Sequence, residues 1–160
     1  MKKFIILGIC LLLLLAGISC KKKNEDPPKP YASFNLNGVK KTYNFSNYFS
    51  KNFCSTSTYC ASFFLTSDTT SPETLKFGIP GDPVVGHVYQ TGEYRFSCFY
   101  MNESGVRYDL ANAPFMVIFT QWDGQGGWGK GNFSGWMISP TGDSIQFQDG
   151  YFQNEIWTYK

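Results

Sequence analysis

Beyond its first twenty residues the chain has no window of ten or more residues with a sustained helical period. Short apolar runs alternate instead with turn clusters. Asn37-Gly38 separates Tyr31–Leu36 from Val39–Phe45, and Asn-Gly between alternating runs is the strongest short-range hairpin signal. Tyr59–Thr66 is aromatic and β-branched. Leu75, Phe77 and Ile79 alternate with Lys76 and Gly78. Pro80-Gly81-Asp82-Pro83 reads as a turn. Tyr94, Phe96, Cys98 and Tyr100 share one parity, with Glu93, Arg95 and Ser97 on the other. Val106–Leu110 reads as a short strand, and Phe115–Trp122 is apolar on both faces, as a central strand would be. Gly131–Ser139 and Ser144–Gln148 follow, and Asp149-Gly150 leads into Tyr151–Thr158 as a second hairpin signal. The pattern predicts an all-β domain, an antiparallel β-sandwich of roughly 8–10 strands, mostly a meander. An up-and-down β-barrel with a ligand cavity is the alternative.

Residues 1–19 have another character. Lys2 and Lys3 precede an apolar run, Phe4–Ile18, and the small residues Ala16, Gly17 and Ser19 lead to Cys20. This is the layout of an export signal, too short and wrongly flanked for a spanning helix. It resembles the lipobox of bacterial lipoproteins, in the relaxed spacing of the Bacteroidetes type, although Gly17 stands where most of the family has leucine. The resemblance implies cleavage before Cys20, acylation of its thiol, and a bilayer as first partner. Cys10 competes, but Leu11–Leu15 would then open the mature chain. An ordinary secretory signal or a short uncleaved anchor is the competing reading. Residues 20–30 would be the lipidated cysteine and a tether. Lys21–Pro30 holds three prolines, charges of both signs and no apolar side chain, and it reaches at most about 33–36 Å. Residues 31–160 are then one domain.

Signal and tether carry six of the 14 basic and two of the 12 acidic residues, which leaves the domain eight and ten. No basic stripe remains for a nucleic-acid backbone. Cys54, Cys60 and Cys98 remain as well. Cys54 with Cys60 would close a small loop, Cys60 with Cys98 would staple two strands, and three buried thiols is the third option. Cys-x5-Cys with a single histidine, His87, argues against zinc, and no cofactor motif is present.

The best ligand candidate is the loop 121–130. Glycines at 124, 126, 127 and 129 suggest bare, mobile backbone around Trp128. An exposed indole suits a sugar ring, with Trp122, Asp123, Gln125 and Lys130 beside it. The competing expectation has Trp122 capping the core and Trp128 folded back over the sandwich end. Glu93, Glu103, Asp109, Asp143 and Asp149 are scattered, so a hydrolytic carboxylate pair is only a remote alternative. Asp82, Asp123 and Asp143 fit no calcium-loop pattern. Asp68-Thr69-Thr70 and Asp143-Ser144-Ile145 resemble O-glycosylation acceptors of this bacterial group, which makes Thr69 and Ser144 candidate sites.

Phe34-Asn35-Leu36-Asn37-Gly38, Gly92-Glu93-Tyr94, Gly131-Asn132-Phe133 and Gly150-Tyr151-Phe152 together resemble small Bacteroidetes lipoproteins of uncharacterised function. That resemblance implies a β fold and transfers no catalytic residue. The expected function is non-catalytic: an outer-membrane-anchored binding module, with glycan as candidate ligand, on the periplasmic face or the cell surface. A structural component of an envelope assembly, bound to another envelope protein, is the alternative.

Overall fold

The computed structural model describes residues 29–156 except 44, 56–57 and 68–72, and it describes backbone alone for 45–55 and 58–60. The expectations for Cys20 and Thr69 fall outside these residues, and the Cys54–Cys60 pairing falls outside the described side chains. The described residues form eleven strands and no helix: β1 (Tyr31–Leu36), β2 (Val39–Tyr43), β3 (Phe45–Ser55), β4 (Thr58–Thr66), β5 (Thr74–Pro80), β6 (Val88–Gln90), β7 (Ser97–Met101), β8 (Arg107–Asp109), β9 (Phe115–Trp122), β10 (Trp128–Ile138) and β11 (Ser144–Glu155). Every pairing is antiparallel.

One sheet runs β2-β1-β11-β10-β9-β6 and the other β8-β7-β5-β4-β3, joined where Ile138 of β10 meets Asp109 of β8. β2 and β3 end the path and do not pair with each other, so the sheet folds into a sandwich and does not close into a barrel. The inner faces meet through phenylalanines. Phe63 of β4 lies 4.8 Å from Phe119 of β9, and Phe77 of β5 lies 5.3 Å from Phe152 of β11, between ring centroids. Offset and edge contacts of this kind add about 0.5–1.5 kcal/mol each beyond area burial.

Local chemistry explains the joints. Asn37 and Gly38 take φ of 49° and 81°, as a type I′ hairpin turn between β1 and β2 demands. Gly131 faces Phe152, and Phe133 faces Gly150, across β10 and β11. Each Gly-x-Phe triplet thus lays its ring over the other's glycine. A Cβ on Gly131 would sit 2.5 Å from the Phe152 ring, and one on Gly150 2.6 Å from the Phe133 ring.

Four expectations need correction. Asp149-Gly150 is not a hairpin, because β11 runs straight through it. Asp149, at φ 52°, is the extra residue of a bulge opposite Ser134, so a positive φ serves a bulge here and not a turn. β9 is not buried on both faces: Phe115, Val117 and Phe119 face the core, while Met116 is 46 % exposed. β3 has no counterpart among the sequence signals, since its Ser, Asn and Lys residues break the apolar alternation and its ladder with β4 supplies the order. Cys98 carries a free thiol. β4 and β7 flank β5 on opposite sides, which sets them roughly 10 Å apart, beyond the roughly 7 Å Cα limit of a Cys60–Cys98 bridge.

Candidate functional site

The loop 121–130 is neither bare nor spread open. Asp123 N–H donates to Trp128 O at 3.1 Å, and Gly127 N–H to Gly124 O at 3.1 Å. Gly126 and Ile156 donate across the sandwich end, to Ile156 O at 3.0 Å and Gly127 O at 2.9 Å. The Asp123 carboxylate accepts from Gln121 Nε2 at 2.6 Å and from Trp128 N–H at 3.2 Å. The glycines satisfy a tight turn, with φ of 79° at Gly124 and 78° at Gly126. Trp122 points inward, 6.0 Å from Phe119 and 6.1 Å from Phe63. It caps the core. Trp128 opens β10, half-buried, and Lys130 follows on the same parity, while Gln125 is exposed at the tip. The five candidate residues therefore do not converge on one cleft.

A better site lies on the same strand. The outward parity of β10 reads Trp128, Lys130, Asn132, Ser134, Trp136, against buried Gly129, Gly131, Phe133 and Met137. Two adjoining clefts of about 460 and 470 Å³ open over this face and share Met116, Ser134 and Asp149. Together they form a shallow groove. Trp136 is 39 % exposed in it, with Asn132 on one side and Gln146 and Gln148 on β11 on the other. Gly135 makes this possible. Its φ is 143°, and a Cβ there would lie 2.3 Å from Pro114 O, so only glycine lets β9 approach while Trp136 N–H donates to Pro114 O at 2.8 Å. The bulge puts Asp149 at the groove edge, where its carboxylate accepts from Asn35 Nδ2 at 3.1 Å. An indole face beside amides that both donate and accept is suited to a polyhydroxylated ring. Sequence reasoning passed over Trp136 as strand interior. The available signal was its parity, which it shares with Asn132 and Ser134 and not with the core.

The remaining polar groups are held locally. His87 Nε2 lies 2.9 Å from Glu93, whose other oxygen accepts from Gln90 N–H at 3.3 Å. Arg107 holds Asp109, and Thr141 donates to Asp143. Ser144 is exposed at the start of β11. Among the described residues the one strongly buried carboxylate is Glu73, 3 % exposed. Tyr100 donates to it, and Lys41 Nζ lies 3.3 Å from Glu73 and 4.0 Å from Glu103, bridging the two sheets. Burial first, then the neighbouring Tyr100 and Glu73, holds the Tyr43 hydroxyl far above its ordinary range; burial and the bond to Glu73 do the same for Tyr100. Lys41 faces inward from edge strand β2, which also discourages edge-to-edge pairing. Among the described residues no three His, Cys, Asp or Glu side chains gather as a metal site.

No family model matches the chain, and no curated protein or solved structure matches it either.

Proposed function

We propose that this protein is an envelope lipoprotein, held to the outer membrane through acylated Cys20 and a short tether, whose β-sandwich binds glycan without catalysis. The groove around Trp136 carries the reading: an exposed indole, amide side chains on both flanks and an open floor. Shallow open grooves accommodate a polymer that passes through, where a deep pocket would select a chain end. The point where the chain enters the domain agrees. Lys29 O accepts from Gln153 Nε2 at 2.7 Å, which fixes the chain entry beside the 121–130 loop. Trp136 pairs with Gln146 at the opposite end of β10, so a tethered domain presents it away from the point of attachment.

Titration of the full-length chain in detergent with neutral soluble polysaccharides, followed by tryptophan fluorescence, tests this. Saturable change is expected, and Trp136→Ala should abolish it without altering thermal stability. Binding that survives Trp136→Ala refutes the site. A second reading, subunit of an envelope assembly, is favoured by Val88, 41 % exposed and paired with Ile118, continuing Met116 as an apolar stripe. It predicts no polysaccharide response and loss of a co-purifying envelope protein in Met116→Lys.

A further inference from the structure

The outer face of the second sheet carries a different chemistry. Phe64, Lys76, Phe99 and Asp109 stand in register across β4, β5, β7 and β8. Lys76 Nζ lies 4.6 Å from the Phe64 ring centroid and 6.0 Å from that of Phe99. Arg107 Cζ lies 4.4 Å from the same Phe99 ring. One ring thus gathers two cations, and each contact is favourable on an exposed sheet. A cleft of about 430 Å³ opens along the row, with Lys76, Ser97, Phe99 and Arg107 in its wall.

The charges in this cleft do not cancel. Arg107 grips Asp109 through Nη2 at 2.7 Å and Nε at 3.0 Å, and those two neutralise each other. Lys76 has aromatic neighbours and no carboxylate within ion-pair distance among the described residues. The cleft is therefore positive by one charge on a domain whose ten acidic side chains outnumber its eight basic ones. An uncompensated ammonium beside the Ser97 hydroxyl matches a sugar that bears both a carboxylate and hydroxyls. An acidic peptide would use the charge and leave the hydroxyl idle.

We propose that this cleft binds a uronic acid unit of an acidic glycan, with its carboxylate on the Lys76 ammonium and a ring hydroxyl on Ser97. The site is separate from the Trp136 groove, which lies on the other sheet, and it stands or falls independently of it. Calorimetric titration of the full-length chain in detergent with a galacturonate oligomer, the corresponding galactose oligomer and poly-glutamate tests it. The galacturonate oligomer is expected to bind and the galactose oligomer to bind at least tenfold more weakly at this site. Lys76→Ala and Lys76→Gln should each weaken uronate binding on the order of tenfold or more, the loss of one charge-assisted contact. Lys76→Arg should retain most of it, and Trp136→Ala should leave it unchanged. Two neutral substitutions at Lys76, each checked by its melting temperature, separate lost binding from lost folding. No uronate binding, uronate binding indifferent to Lys76, or poly-glutamate binding as tight as uronate overturns the proposal.

Discussion

Gly131→Ala is the sharpest test of how the core is assembled. A Cβ at 131 would lie 2.4 Å from Ile118 O and 2.5 Å from Phe152 Cζ. Neither neighbour can retreat cheaply. Ile118 sits in a ladder between β6 and β10, and Phe152 is wholly buried against Phe77 and Phe119. Overpacking of this kind costs about 1–3 kcal/mol, and two immovable neighbours put the cost near the upper end. Alanine returns about 0.4–1 kcal/mol by narrowing the unfolded ensemble. The expected net loss is about 2 kcal/mol, a fall in Tm of about 8 °C for a domain of this size. Urea unfolding followed by tryptophan fluorescence measures it.

A mutant cycle isolates the ring. Phe152→Ala alone should cost about 3–5 kcal/mol. In that background Gly131→Ala should cost less than it does alone, yet not nothing, because the Ile118 carbonyl remains. Gly78→Ala is the control: its Cβ would meet only the Ser97 hydroxyl, at 2.8 Å, which can rotate away. A Gly131→Ala variant within 0.5 kcal/mol of the parent, or an equal increment with and without Phe152, would refute the claim that the two Gly-x-Phe triplets interlock.

The buried tyrosines predict steep alkaline unfolding. Tyr43 and Tyr100 titrate in the fold far above their ordinary value of 10.0. Their contribution is whole below pH 10 and is lost as pH rises beyond it, because the unfolded chain ionises first. Each removes up to about 1.4 kcal/mol per pH unit. Absorbance at the phenolate band should show these two silent until the fold breaks, and Tyr43→Phe with Tyr100→Phe should flatten the decline; early titration of either would contradict the burial. Cys98 is buried, and burial, then the Asp109 charge, pushes its thiol well above the usual range. It should resist a thiol reagent in buffer and react on unfolding, with labelling mapped by mass spectrometry; prompt native labelling at Cys98 would be inconsistent with its place in the core.

Much of the architecture was legible in residue order, and the reasons are local. Alternation of Leu75, Phe77 and Ile79 with Lys76 and Gly78, and of Phe96, Cys98 and Tyr100 with Arg95 and Ser97, marks strands because side chains of a strand must alternate faces. Asn37-Gly38 marks a turn because few other residue pairs accept two positive φ values. The same rule misled at Asp149-Gly150. A positive φ is equally needed by a bulge, and only β10 and β1 lying on both sides of β11 decide that the strand continues. The loop 121–130 misled for a related reason. Glycine in sequence signals freedom, while in the fold it signals a turn closed by Ile156, which lies far away in the chain.

The sequence by itself therefore determined the all-β class, most strand positions, the β1–β2 turn and the shared face of Leu75, Phe77 and Ile79, since each depends on neighbours within a few residues. Tertiary structure alone decided the pairing of first strand with last, the buried Glu73 with its lysine and tyrosines, and the two outward faces where Trp136 and Lys76 stand. Those features join residues remote in the chain, and a local pattern says which face a side chain takes but not what stands across from it.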